Sequence, residues 1–158
     1  VIASVQGHAI AGGCGLATVC DLAITSSEAK FGYSEVKIGF IPAIVGVFLI
    51  RKIGEAKSKE LLLTGNIISA EEAKVFGLIN RVVAKEKLTK SVIALAKQLC
   101  ETTSGDSLTF TKQLINGVQE MDLIEGFQWA AELNAKAREN ADCKTGIAAF
   151  LNKKKLNW

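Results

Sequence analysis

One glutamate, one pair of adjacent glycines and one run of lysines are the residues of this sequence whose type and spacing bear on chemistry. Glu35 stands among Gly32, Tyr33, Val36, Ile38, Phe40 and Ile41. Apolar neighbours disfavour the charged form of a carboxyl group, which suits it to take up and release a proton near neutral pH. The same residues also allow a solvated loop carboxylate paired with Lys37. Ala11-Gly12-Gly13 lies between a strand-like and a helix-like segment. A helix start offers unpaired amides and partial positive charge, and glycine lets a ligand approach the backbone closely. Such a turn can hold an oxyanion, for instance the enolate oxygen of a thioester, or it can serve packing alone. Lys153, Lys154 and Lys155 suit a phosphate-bearing ligand, and equally a solvated chain end. His8 has no carboxylate near it in sequence and reads as structural.

Composition narrows the classes. With 158 residues, 49% hydrophobic and 22% charged, the chain has the balance of a globular domain with one core or a core plus an appendage. A formal charge of +3 is too small to argue for nucleic acid. The apolar run from Ile38 to Ile50 is interrupted by Gly39, Pro42 and Gly46, short of the roughly 18–20 residues a membrane span needs. Cys14 and Cys20 fall on different sides of a helix, and Cys100 and Cys143 stand apart. Free thiols in a reducing compartment are therefore expected: the cytoplasm, or the mitochondrial matrix for a eukaryotic source. A single His and the lack of a Cys-x-x-Cys argue against a zinc site. The sequence begins at Val1 inside a strand-like run, and a segment preceding it is expected.

The elements that must position these residues can be sketched from pattern. Val1 to Gln6 is rich in β-branched residues and reads as a buried strand, ended by Gly7. Cys14 to Cys20 reads as a short helix, Asp21 to Ser26 as a strand and Lys30 to Gly32 as an extended piece. Glu35 then falls in a loop. The residue before Pro42 is pushed away from helix, so a helix is expected from Pro42 to about Lys52, ending at Gly54. Lys57 to Leu63 predicts a second helix closed by Thr64-Gly65. Ser69-Ala70-Glu71-Glu72 has the form of a capping box, and its helix ends at Gly77. Asn80 to Ala84 returns to strand. From there the pattern is helical only: Leu88 to Cys100, Ser107 to Val118, Leu123 to Asn140, and a last helix capped by Asp142 and running through Leu151. No sequence repeat is visible. Residues 1–85 therefore read as an α/β part and residues 86–158 as a helical part. The helical part carries more apolar stripe than it can bury on itself, with Phe110, Leu114, Leu123, Phe127 and Trp129 in excess.

Four segments together resemble the crotonase (enoyl-CoA hydratase/isomerase) superfamily. VIASVQGHAIAGGCGLATVCD (1–21) resembles its signature around the oxyanion turn, and FGYSEVKIGFIP (31–42) its second active-site segment. LLLTGNIISAEEAKVFGLINRVV (61–83) is similar to the stretch that follows, and FLNKKKLNW (150–158) to the usual ending, with Leu156 where proline is common. The resemblance covers the whole chain in order. It implies an α/β fold: a spiral of ββα units, here its C-terminal part over 1–85, followed by an all-helical trimerisation region over 86–158. It implies an acyl-CoA substrate and a homotrimer or dimer of trimers. No cofactor is implied beyond the coenzyme A of the substrate, and no nucleic acid or membrane partner. It places Gly12 where one oxyanion amide is donated and Glu35 where a catalytic glutamate moves a proton at the acyl chain. Gly13 and Gly15 are expected at the substrate beside that turn, and Tyr33, Ile41, Ala43 and Phe48 read either as walls of an acyl pocket or as plain core packing. Lys153 and Lys154 fall where a neighbouring subunit touches the coenzyme A phosphates. Two departures stand out. Two-glutamate hydratases carry a second glutamate where this sequence has Gly15, and a glycine-rich stretch where it has Ala43-Ile44-Val45-Gly46-Val47-Phe48. The expected activity is hydration of an enoyl-CoA, with members similar to methylglutaconyl-CoA hydratases nearest in wording. A double-bond isomerase using Glu35 alone and a catalytically silent subunit remain as alternatives.

Overall fold

A computed structural model describes all of residues 1–158. The chain divides into two compact units, Val1–Ala94 and Leu95–Trp158, with the division inside a helix rather than at Lys85, where strand gives way to helix.

The first unit is built from ββα repeats that the sequence does not display as repeats. Strands β1 (Ile2–Val5) and β2 (Ala9–Ile10) lead into helix α1 (Gly12–Val19). Strands β3 (Leu22–Ser26) and β4 (Lys30–Gly32) lead, through a 3₁₀ turn at Glu35–Ile38, into helix α2 (Ala43–Thr64). The first strand of each repeat goes to one sheet and the second strand to another. β1 pairs parallel with β3, and β3 with β6 (Arg81–Val83). β2 pairs parallel with β4, and β4 antiparallel with β5 (Ile67–Ser69). Helix α1 starts directly after β2, whereas ten residues, including the 3₁₀ turn, separate β4 from α2. The core of this unit holds Cys14, Ile24, Phe31, Tyr33, Leu49 and Leu61, all essentially inaccessible.

Local chemistry sets most boundaries. The two expected helices over 42–64 are present and meet at a kink at Gly54, whose φ of 78° and ψ of 168° no helical residue adopts; α2 denotes the pair. Gly65 closes the pair in the left-handed conformation, its amide bonded to the Leu61 carbonyl. The Ser69–Glu72 capping box forms in both directions and opens α3 (Ala70–Val75). The Ser69 hydroxyl and amide hold the Glu72 carboxyl below its ordinary value.

Helix α4 (Leu88–Thr102) crosses the division between the units. The second unit continues with α5 (Gly105–Gly117), α6 (Leu123–Glu139) and α7 (Ala141–Leu151), which pack on one another. Ser104 caps α5, and a capping box of Asp122 and Glu125 opens α6. Asn140, not Asp142, caps α7: its side chain accepts from the Asp142 amide at 3.0 Å. Asp142 instead accepts from the Ser104 hydroxyl at 2.6 Å, tying the start of α5 to that of α7. Phe110 and Leu114 are half-buried in a cavity of about 710 Å³ that Leu133 and Ile147 help to line. Trp129 is half-buried against Gly117. Leu123, Ile124 and Phe127 on α6 stay 74%, 69% and 67% exposed, so of the five residues expected in excess only Leu123 and Phe127 stand open.

Candidate active site

The Ala11-Gly12-Gly13 turn joins β2 directly to α1. Ala11 has φ 51° and ψ −123°, a conformation an L side chain rarely adopts, so the chain reverses there at a cost in strain. The turn is held at both sides: the Ala11 amide donates to the Gly32 carbonyl at 2.9 Å, and its carbonyl accepts from the Gly15 amide at 3.0 Å. Gly12 and Gly13 are exposed, with no atom within 4 Å of where a Cβ would stand. The amides of this first turn have no acceptor inside the helix and sit at its positive end. A ligand oxygen has room to approach them.

Glu35 begins the 3₁₀ turn that follows β4. The Phe40 amide donates to the Glu35 carbonyl at 3.0 Å, and Gly39, at φ 75°, turns the chain toward α2. The residue is half-buried, and one of its carboxylate oxygens, Oε2, is buried without a hydrogen-bond partner. No ion pair with Lys37 forms, so the solvated loop reading does not describe it. Its charge is one of the smaller influences that raise the Cys14 thiol and the Tyr33 phenol, after burial.

Beneath the turn lies a buried polar cluster. Thr18 donates to the Cys14 carbonyl at 2.8 Å, and its hydroxyl lies 2.7 Å from that of Tyr33. Since Thr18 has one proton and has spent it, Tyr33 is the donor of the second bond. Burial pushes both the Tyr33 phenol and the Cys14 thiol above their ordinary values. Tyr33 is fully buried, so its ring is a support under α1 rather than a wall that touches a ligand. Lys52 of α2 closes the other end of α1, donating to the carbonyls of Thr18 at 2.8 Å and Cys20 at 3.2 Å. Burial lowers its ammonium below the ordinary value, and the cation meets the negative helix end.

Gly15 is buried, and it is a contact rather than a lining position. An ideal Cβ there would stand 2.1 Å from Cγ1 of Val45. Ile41 and Ala43 are exposed at the entry to α2, and Ile44, Val47 and Phe48 extend an open apolar surface with 75%, 54% and 43% exposure. Lys153 and Lys154 lie after α7 in the second unit, both exposed, with Lys153 at a left-handed φ of 53°. His8 is exposed between β1 and β2. No group of three or more His, Cys, Asp or Glu side chains gathers where a metal ion would be held, and no helix is long and apolar enough to cross a membrane.

Sequence reasoning missed Val45 and Lys52, because both act across α1–α2 packing. Their signals were faint: a glycine inside a short helix, which implies a close neighbour, and a lysine inside an apolar helix.

A strained glycine turn, a carboxylate with one buried, unpartnered oxygen and paired sheets fed by ββα repeats define a crotonase-fold protein. Comparison with known proteins agrees. The family model for enoyl-CoA hydratase/isomerase matches residues 1–158, and the chain belongs to that family. It is 46% identical over 153 residues to a Thermus thermophilus protein named "Putative enoyl-CoA hydratase", covering 97% of this chain and 60% of that protein. It is 39% identical over 151 residues to a short-chain-enoyl-CoA hydratase of Clostridioides difficile, covering 95% of this chain and 96% of that protein. The crystal structure of a Mycobacterium smegmatis enoyl-CoA hydratase superposes with a TM-score of 0.92 at 33% identity, covering 100% of this chain and 61% of the other. The chain spans 60% and 62% of the length of the Thermus relative and of a similar Rhizobium meliloti one.

Proposed function

We propose that the protein is an acyl-CoA hydro-lyase that adds water across the 2,3 double bond of an enoyl-CoA thioester. The observation that carries this reading is the Glu35 carboxylate, whose Oε2 is buried without a partner, in a unit that also holds the open turn at Gly12. A buried carboxylate oxygen left without a partner is unfavourable unless a ligand uses it. Family membership supports the thioester substrate, as do the names of the relatives.

In this reading the thioester oxygen lies against the Gly12 amide, at the positive end of α1. Negative charge grows on that oxygen as the hydroxyl adds to carbon 3 and the electron pair of the double bond moves toward carbon 2. Amide donors of this kind typically lower the barrier by about 3–4 kcal/mol each. Glu35 carries the proton between water and carbon 2. The thioester itself acidifies carbon 2, so the chemistry asks for no cofactor beyond the substrate's own coenzyme A. Gly13 keeps the approach to the turn open, Ile41 and Ala43 border the acyl group, and Lys153 and Lys154 meet phosphate groups. Assembly into a trimer or a dimer of trimers would cover Leu123, Ile124 and Phe127, which are too apolar and too exposed for an uncovered face.

Isomerisation is the second reading. It is favoured by the contact at Gly15, where Val45 leaves no room for another carboxylate, since a single acid/base suffices to carry a proton between carbons 2 and 4. The two reactions separate when the complete protein is given a 2-enoyl-CoA and a 3-enoyl-CoA in ¹⁸O-labelled water. Label entering the 3-hydroxyacyl product supports the hydratase. Interconversion of the two enoyl thioesters without label refutes it in favour of the isomerase.

A further inference from the structure

We propose that Val45 is a specificity-determining residue of this site, its methyl groups forming the apolar wall against which carbon 3 of the acyl group lies. The inference rests on the assignment of Gly12 and Glu35 made above.

Gly15 carries the argument. A Cβ at that position would meet Val45 Cγ1 at 2.1 Å and Val45 Cβ at 2.8 Å, closer than any side-chain atoms approach. The volume a residue at 15 would need is thus occupied by Val45, and the absence of a side chain there is what admits it. Gly12 and Gly15 are three residues apart on α1, so they share one face of the helix. Val45 therefore lies over α1 one turn beyond the open amide of Gly12. It sits on the first turn of α2, and the short connection back to Glu35 is pinned by the Phe40 amide on the Glu35 carbonyl. The oxyanion turn, the carboxylate and Val45 are fixed to one another through two helices and one 3₁₀ turn.

Val45 packs against the core on one side, and two further features let it serve as a wall on the other. It is only half-buried, so part of its surface faces outward, next to Ile41 and Ile44, which are 72% and 75% exposed. It is branched at Cβ, so in a helix it holds essentially one rotamer and presents a fixed surface. An acyl group seated with its oxygen at Gly12 and its reacting carbons at Glu35 passes this surface. The substituent it turns there must be alkyl and uncharged, and a methyl branch on carbon 3 competes with the valine methyls for space.

The test is a cycle at positions 15 and 45 in the complete protein, with unbranched and 3-methyl-branched 2-enoyl-CoA thioesters as paired substrates. Val45→Ala raises the ratio of kcat/KM, branched over unbranched, by about tenfold, the scale of one or two methyl groups in an apolar pocket. Gly15→Ala combined with Val45→Ala puts a methyl back into the same volume and returns the ratio to roughly threefold of wild type or less. Gly15→Ala alone lowers the melting temperature, and adding Val45→Ala recovers part of the loss, since the approach to Cγ1 at 2.1 Å is removed while that to Cβ at 2.8 Å remains. A merely structural role would lower both substrates' rates together and leave the ratio alone. A ratio unmoved in a Val45→Ala protein that still melts cooperatively overturns the proposal. Glu35→Gln, assayed in parallel, reports on the acid/base assignment separately: full turnover there refutes that reading, whereas the ratio at Val45 decides this one.

Discussion

Removing the hydroxyl of Tyr33 separates a supporting role from a ligand-binding one. The ring is 0% exposed, and its hydroxyl donates to Thr18 at 2.7 Å. In Tyr33→Phe the ring still fills the core, so the packing loss is confined to one oxygen atom. Thr18 keeps its own bond to the Cys14 carbonyl at 2.8 Å, and the other group that loses the phenol is the weakly bonding Cys14 thiol. The expected cost is therefore that of one neutral buried hydrogen bond, about 1–1.5 kcal/mol, rather than the larger penalty of an unsatisfied group. For a protein of this size that is a fall of about 2–6 °C in melting temperature. Urea denaturation followed by circular dichroism gives the free energy, and steady-state kinetics on an enoyl-CoA gives KM. The expected result is the stated loss with KM changed by less than about twofold. A loss under about 0.3 kcal/mol would show that the bond to Thr18 contributes nothing net. A KM raised about tenfold with stability unchanged would place the hydroxyl on the substrate and refute the burial argument.

Three other outcomes are expected. Gly12→Pro deletes the amide donor at a position where proline suits helix geometry, and turnover should fall by about two to three orders of magnitude; because Ala11, with its φ of 51°, would then precede a proline, a melting curve must accompany the assay, and a folded, active variant would dismiss the oxyanion assignment. Stability should decline above pH 9.0, the ordinary thiol value: Cys14 and Tyr33 have raised values in the folded state, so the unfolded chain ionises first and gains, while Lys52, lowered by burial, works in the opposite sense; a melting temperature that rises steadily from pH 9 to 11 would contradict this, and Cys14→Ala with Tyr33→Phe should flatten the decline. Phe127→Glu should dissociate the proposed trimer in light scattering, and an assembly that persists would move the interface off this face of α6.

Much of the first unit was legible because local chemistry dictates it. The Ser69 capping box, the left-handed Gly65 and the return to strand before Lys85 each follow from a few adjacent residues. β2 and β5 were not: β2 has only two residues, and β5 runs straight into the capping box that opens α3, whose helical signal covers it. The cap of α7 went to Asn140 because Asp142 is drawn away by Ser104, which is distant in sequence. At the site, residue types pointed to Gly12 and Glu35. What the sequence could not display was contact between elements: Tyr33 turned inward onto Thr18, Lys52 reaching the end of α1, and Val45 occupying the space above Gly15. Each depends on how α1 and α2 pack, which no local pattern encodes.

The central claim is that Glu35 carries the proton, and Glu35→Gln in the complete protein tests it most directly. The substitution keeps the shape of the side chain and removes its acid/base function. Turnover of an enoyl-CoA should fall by about two to four orders of magnitude, with the melting temperature and substrate affinity nearly unchanged. Turnover within a few-fold of wild type in a folded protein would contradict the account.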